Sequence, residues 1–188
     1  MRRIAIALFV LMMTTVAHGA LIEFHDRAEW EAAVGEFTTL DFTRFDQGTT
    51  ITEQYAELGA VFTSSNVVLV NEGFLNDGAG IVFADAGTVE FDQPITYVAA
   101  DFNGFLHFEL FMDGVFVGAS VNFGLGGSGN FGGVVSSESF NTVVFTDPFD
   151  RTAVLDDIFF GPPIPSPATL ALIGLAGLLG HRRRRSSS

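Results

Sequence analysis

From residue 37 onward the apolar positions follow a period of two. In "HFELFMD" Phe108, Leu110 and Met112 fall on one side and His107, Glu109 and Asp113 on the other. In "GTVEFD" Val89 and Phe91 oppose Thr88, Glu90 and Asp92. Successive side chains of a strand point to opposite faces, so each segment has one core face and one wet face. These are among eleven short runs, rich in Val, Phe, Ile and Thr, that stand between Gly, Asn and Asp, the two-residue period being clear in several of them: LDFTRF, AVFTSS, NVVLVN, GIVFAD, GTVEFD, TYVAADF, HFELFMD, VFVGASVNF, FGGVVS, FNTVVFT and VLDDIFFG. Their spacing of roughly 8 to 12 residues predicts an all-β sandwich or barrel. Asp113-Gly114 is the strongest hairpin signal, because a type I′ turn needs two positive φ angles. One helix precedes the strands. "HDRAEWEAAVG" offers Asp26 as N-cap, Glu29 three residues on, Trp30 among alanines, and a closing Gly35.

The two ends break the alternation. Met1-Arg2-Arg3, the apolar run Ile4 to Met13 and the small residues of Val16-Ala17-His18-Gly19-Ala20 have the three parts of a secretory signal peptide, residues 1–20. A buried helix is the poor alternative, since Arg2 and Arg3 are costly to bury and the run has no polar face. At the other end, Pro165-Ser166-Pro167 leads into an apolar run from Ala168 to Gly180 and the cluster Arg182, Arg183, Arg184 and Arg185. As a helix that run rises roughly 20 Å against a hydrocarbon core of ~30 Å, a marginal span suited to a transient stop. The arginines stay cytoplasmic by the positive-inside bias, which places everything before Pro162 across the membrane.

This tail resembles the PEP-CTERM protein-sorting signal, a Pro-Glu-Pro box, a transmembrane stretch and a basic end processed by an exosortase. Ser166 stands where that pattern has Glu. The resemblance covers about the last 25 residues, 162–188, and implies an exosortase-like partner and transient anchoring in the inner membrane. Its destination is the cell surface, outer membrane or extracellular matrix. An ordinary C-terminal tail anchor is the alternative.

Between the addresses lie residues 21–161, read as one domain. They hold all 22 acidic residues against Arg27, Arg44 and Arg151, a formal charge of −19. Such a surface argues against nucleic acid, which needs clustered Lys and Arg, and favours cations or a saline habitat. With no cysteine there is no disulfide framework, so a core rich in the chain's 21 phenylalanines must hold the domain.

"LDFTRFDQGTTITEQYAELGAVFTSS" and "FNTVVFTDPFDRTAVLDDIFFG" are similar to the first and last segments of jelly-roll β-sandwich domains of the galactose-binding or carbohydrate-binding-module type. That resemblance, over about residues 37–161, implies a single jelly-roll-like sandwich, a lectin-like or structural role and, in some relatives, calcium between the first and last strands. The residues offer a ligand set for it. Asp156 and Asp157 are adjacent in a predicted strand and so point to opposite faces, which brings one carboxylate to the core or its rim. Calcium takes hard oxygen ligands, and Asp41, Asp156 and Asp157 are the candidates, with Asp46, Asp147 and Asp150 nearby in the same segments. The competing reading is an aspartate that accepts backbone N–H groups at a strand end. "NEGFLNDGAG" lacks EF-hand spacing and reads as a turn.

No zinc, P-loop or dinucleotide motif is present, and neither His25 nor His107 sits in a catalytic pattern. Gly126-Gly127-Ser128-Gly129-Asn130 fails the G-x-S-x-G pattern at its last position and reads, with the rest of "FGLGGSGNFGGV", as a flexible loop. Glu109 and Asp113 lie four strand residues apart, ~13 Å, too far for a retaining glycosidase pair. The expectation is an exported, non-enzymatic surface or matrix protein associated with exopolysaccharide or another glycan. A polysaccharide-active enzyme on a β-sandwich scaffold is the alternative.

Overall fold

The structure, a computed structural model, describes residues 20–64, 67–70, 79–83, 86–121, 123–124, 129–149 and 152–161. The expected signal peptide, through residue 19, and the expected sorting tail, with Pro165, Ser166, Pro167 and Arg182 to Arg185, lie outside them. Asp150 and the turn at 71–78 also lie outside. Among the described residues no helix is long and apolar enough to cross a membrane.

Ten strands and one short helix make up the described fold. In chain order they are β1 (Leu21–Phe24), α1 (Arg27–Val34), β2 (Thr38–Leu40), β3 (Ala60–Phe62), β4 (Val68–Val70), β5 (Gly80–Phe83), β6 (Ala86–Asn103), β7 (His107–Met112), β8 (Val115–Ala119), β9 (Asn130–Thr146) and β10 (Ala153–Gly161). Every pairing between them is antiparallel. β6 and β9 pair along nearly their whole length and build two layers from one ladder. Their first and last halves respectively, with β3, β7 and β8, make one layer. Their other halves, with β10, β5, β4, β2 and β1, make the second. An 18-residue strand drawn straight spans roughly 60 Å, more than a domain this size can cover, so β6 must turn over. It does so around Pro94, where the register breaks on either side of Ile95.

The main core fills the space between the layers. Val98, Ala100, Phe102, Leu155, Ile158 and Phe160 enter it from one side, and Val89, Phe91, Phe108, Leu110, Val143 and Phe145 from the other. Of the sandwich or barrel that the strand pattern predicts, this is the sandwich, jelly-roll-like as the resemblance implied. A second, smaller core lies outside the sandwich, where Trp30 and Val34 of α1 cover Tyr97, Ala99 and Phe159. On β6 the core-facing positions change from odd (Val89, Phe91, Ile95) to even (Val98, Ala100, Phe102) across the bend. That one-residue slip turns Tyr97 and Ala99 outward and creates the seat for the helix.

Several local expectations hold. Phe108 and Leu110 are fully buried, and Val89 and Phe91 are core while Glu90 and Asp92 are exposed. Asp113 and Gly114 have φ of 51° and 78° and join Met112 to Val115. Asp26 caps α1 by accepting from Glu29 N–H at 3.0 Å, and Gly35 closes it at φ 79°. Others are corrected. GTVEFD and TYVAADF are two halves of β6, and FGGVVS and FNTVVFT two halves of β9, because a bulged strand bends through polar residues without ending. LDFTRF is not a strand beyond Leu40: Asp41 Oδ1 accepts from Thr43 N–H at 2.7 Å and turns the chain. β1 was not anticipated; four residues at a predicted cleavage boundary carry too little pattern.

Candidate functional site

The helix brings one cation against the sheet. Arg27, the first residue of α1, donates from Nη2 to Oδ2 of Asp101, which is 5 % exposed on β6. Its guanidinium also lies over the Phe159 ring, 4.4 Å from the centroid, and 5.9 Å from that of Phe131. Ion pair and ring contacts together fix the plane of the group, which arginine does better than lysine. Trp30 packs behind it, with Phe37, Tyr97, Phe131 and Phe159 centroids at 5.3 to 6.1 Å. The indole rests on Ala99 and Gly133, which pair across β6 and β9. A Cβ at Gly133 would come within 2.6 Å of the indole Cδ1, so this position admits no larger residue.

In front of this arrangement opens a cleft of about 590 Å³ lined by His25, Asp26, Arg27, Gly124, Gly129, Asn130 and Phe131. Its size is that of a small-molecule site. One ring, Phe131, supplies an apolar surface, and around it stand a carboxylate, a guanidinium, an imidazole and an amide. The imidazole of His25 is braced 4.9 Å from the Phe123 ring, and Asn130 donates from Nδ2 to the Gly104 carbonyl at 3.4 Å. Sequence reading missed this site. The stretch read as a flexible loop ends as ordered β9, with Gly132 tight against Phe123 and Gly133 against Trp30. The available signal was an acid, Asp101, on the same side of an apolar strand as Tyr97 and Ala99, in a domain with only three basic residues.

The candidate calcium ligands are placed differently from the expectation. Leu155 and Ile158 both enter the main core although three residues apart, because β10 bulges between them where it crosses β6. Asp156 and Asp157 occupy that bulge, so they do not alternate as in a regular strand. Asp156 is 3 % exposed, while Asp157 and Asp41 both act on the Tyr55 hydroxyl. β2 and β10 pair at Leu40↔Ile158, the residues next to Asp41 and Asp157 in sequence. Asp46 is exposed, and Asp147 accepts from Phe149 N–H at 2.8 Å within its own turn. Among the described residues no three His, Asp or Glu side chains group to hold a metal ion, and Asp41 commits an oxygen to its turn. Of the acid pair considered for hydrolysis, Asp113 belongs to the hairpin, exchanging hydrogen bonds with Asn141 at 2.8 and 3.0 Å.

Both tyrosines of the chain are buried beside these elements. Tyr55 donates to the Asp41 carbonyl, and Tyr97 to that of Glu36 at 2.6 Å. Burial raises both phenol pKa values; Asp41 and Asp157 add to the rise at Tyr55 against an opposing Arg44, and Glu36 adds to it at Tyr97. A phenol whose folded pKa lies above its unfolded value of about 10 gives stability that is complete below that pH and lost as pH rises through the folded value. Tyrosinate absorbance is thus expected to stay low past pH ~10.5 and then to rise together with the loss of circular dichroism. A gradual rise near pH ~10 in a chain that keeps its fold would contradict this placement of the phenols.

No family model matches the chain, and no curated protein matches it. A solved structure of the carbohydrate-binding module CBM36 in complex with calcium and xylotriose aligns at 15% sequence identity and a TM-score of 0.27, covering 66% of this chain and 99% of that one. At that score the fold rests on the strand pairings described above.

Proposed function

We propose that the chain is an exported, non-enzymatic β-sandwich that binds glycan at the Arg27–Phe131 cleft and is delivered to the cell surface or matrix by its C-terminal signal. The cleft carries the reading. A sugar ring offers an apolar face edged by hydroxyls that both donate and accept, and the cleft has the complement: the Phe131 ring beside Asp26, Arg27, His25 and Asn130. The Asp101 carboxylate holds Arg27 in place before any ligand arrives, which reduces the ordering cost of binding. The export half rests on the signal peptide and on the apolar run with its four arginines.

The test is retention of the full chain, recovered from expressing cells, on a panel of immobilised polysaccharides. At least one glycan is expected to retain it, and Phe131→Ala to weaken that binding roughly tenfold by removing the aromatic surface. Retention on none of them, or a Phe131→Ala chain that binds like the parent, would remove the glycan reading. Recovery of the chain wholly from the cytoplasm would remove the export reading.

A further inference from the structure

We infer that the Arg27–Phe131 cleft selects uncharged sugars and rejects acidic ones such as uronates, an inference that rests on the glycan-binding reading above. The presence of an arginine suggests the opposite, but its charge is already used. Arg27 is ion-paired to Asp101, a carboxylate only 5 % exposed. Asp101 already balances the charge of Arg27, so a ligand carboxylate that reaches the remaining N–H groups of the guanidinium meets a neutral pair and not a net cation. No second arginine lines the cleft among the described residues; Arg44 stands elsewhere, over Phe45 and Tyr55.

The remaining formal charge at the mouth is negative. Asp26 lines the cleft and is exposed, and the whole domain carries −19. A ligand carboxylate beside Asp26 meets repulsion at contact and again in its approach through the field of the domain. Hydroxyl groups meet neither. They can donate to the Asp26 carboxylate and accept from N–H groups of Arg27 and Asn130, so the polar groups that repel a uronate are served by a neutral sugar.

Trp30 reports on the site, being the one tryptophan of the chain and 6.0 Å from Phe131, which lines the cleft. Full chain is titrated by tryptophan fluorescence with linkage-matched oligosaccharides, neutral and uronic, at low and moderate salt. The neutral member is expected to bind roughly tenfold more tightly at low salt, with the gap narrowing as salt is added. Asp26→Asn is expected to narrow it further through tighter uronate binding; asparagine caps a helix as well as aspartate, so α1 keeps its start. Equal or tighter uronate binding overturns the selectivity and leaves the glycan reading standing. Failure of both sugars to bind overturns the glycan reading and the selectivity together.

Discussion

Replacing Trp30 by alanine is expected to lower the unfolding free energy by about 4 kcal/mol, the usual cost of truncating a large aromatic that cannot be replaced by local collapse. Trp30 is fully buried and is the centre of the outer core, touching four rings and the Ala99–Gly133 hollow. Of α1, only Trp30 and Val34 are buried, so the alanine variant leaves the helix one small buried side chain beside the Arg27 ion pair. An eight-residue helix has little stability of its own and depends on that packing. The midpoint of thermal unfolding should fall by roughly 10 °C. Trp30→Phe should cost much less, since the indole N–H finds no hydrogen-bond acceptor among the described residues and no bond is lost with it. Calorimetric melting of the two variants decides the matter. A Trp30→Ala loss under ~1 kcal/mol would mean that the helix does not depend on this seat.

Arg27→Ala is expected to cost about 3 kcal/mol, because it strips the guanidinium from a buried carboxylate and from the faces of Phe159 and Phe131. Removing both members should be milder than the sum of the single losses, because the stranded charge goes with its partner. A double-mutant cycle with Asp101→Ala is expected to give a coupling of about 2 kcal/mol. Arg27→Lys should recover only part of the stability, since an ammonium restores charge without the planar contact. Denaturant unfolding of the five chains, the four of the cycle and Arg27→Lys, measures all of this. Coupling within ~0.5 kcal/mol would reduce the pair to a surface contact and weaken the case for a pre-set cleft.

These two residues also mark the limit of what was legible. The helix, its cap and its one tryptophan were readable, because capping and apolar content are local. The partner of Arg27 was not, since Asp101 lies 74 residues away and meets it only after β6 has bent and slipped its register. The alternation expected through Asp156-Asp157 was misread for a related reason, since β10 bulges there.

From sequence alone came what depends on neighbours two to four residues apart: the all-β class, the wet and dry faces of β7, the Asp113-Gly114 hairpin and the helix caps. The acidity of the domain and the expectation of export also came from sequence, because they are properties of composition and of short terminal segments. Tertiary structure decided which half-strands were one strand, where the core-facing parity changed and which residues made the cleft. Each of those turns on a bulge, and a bulge moves side chains across a sheet by inserting one residue that no periodic pattern announces.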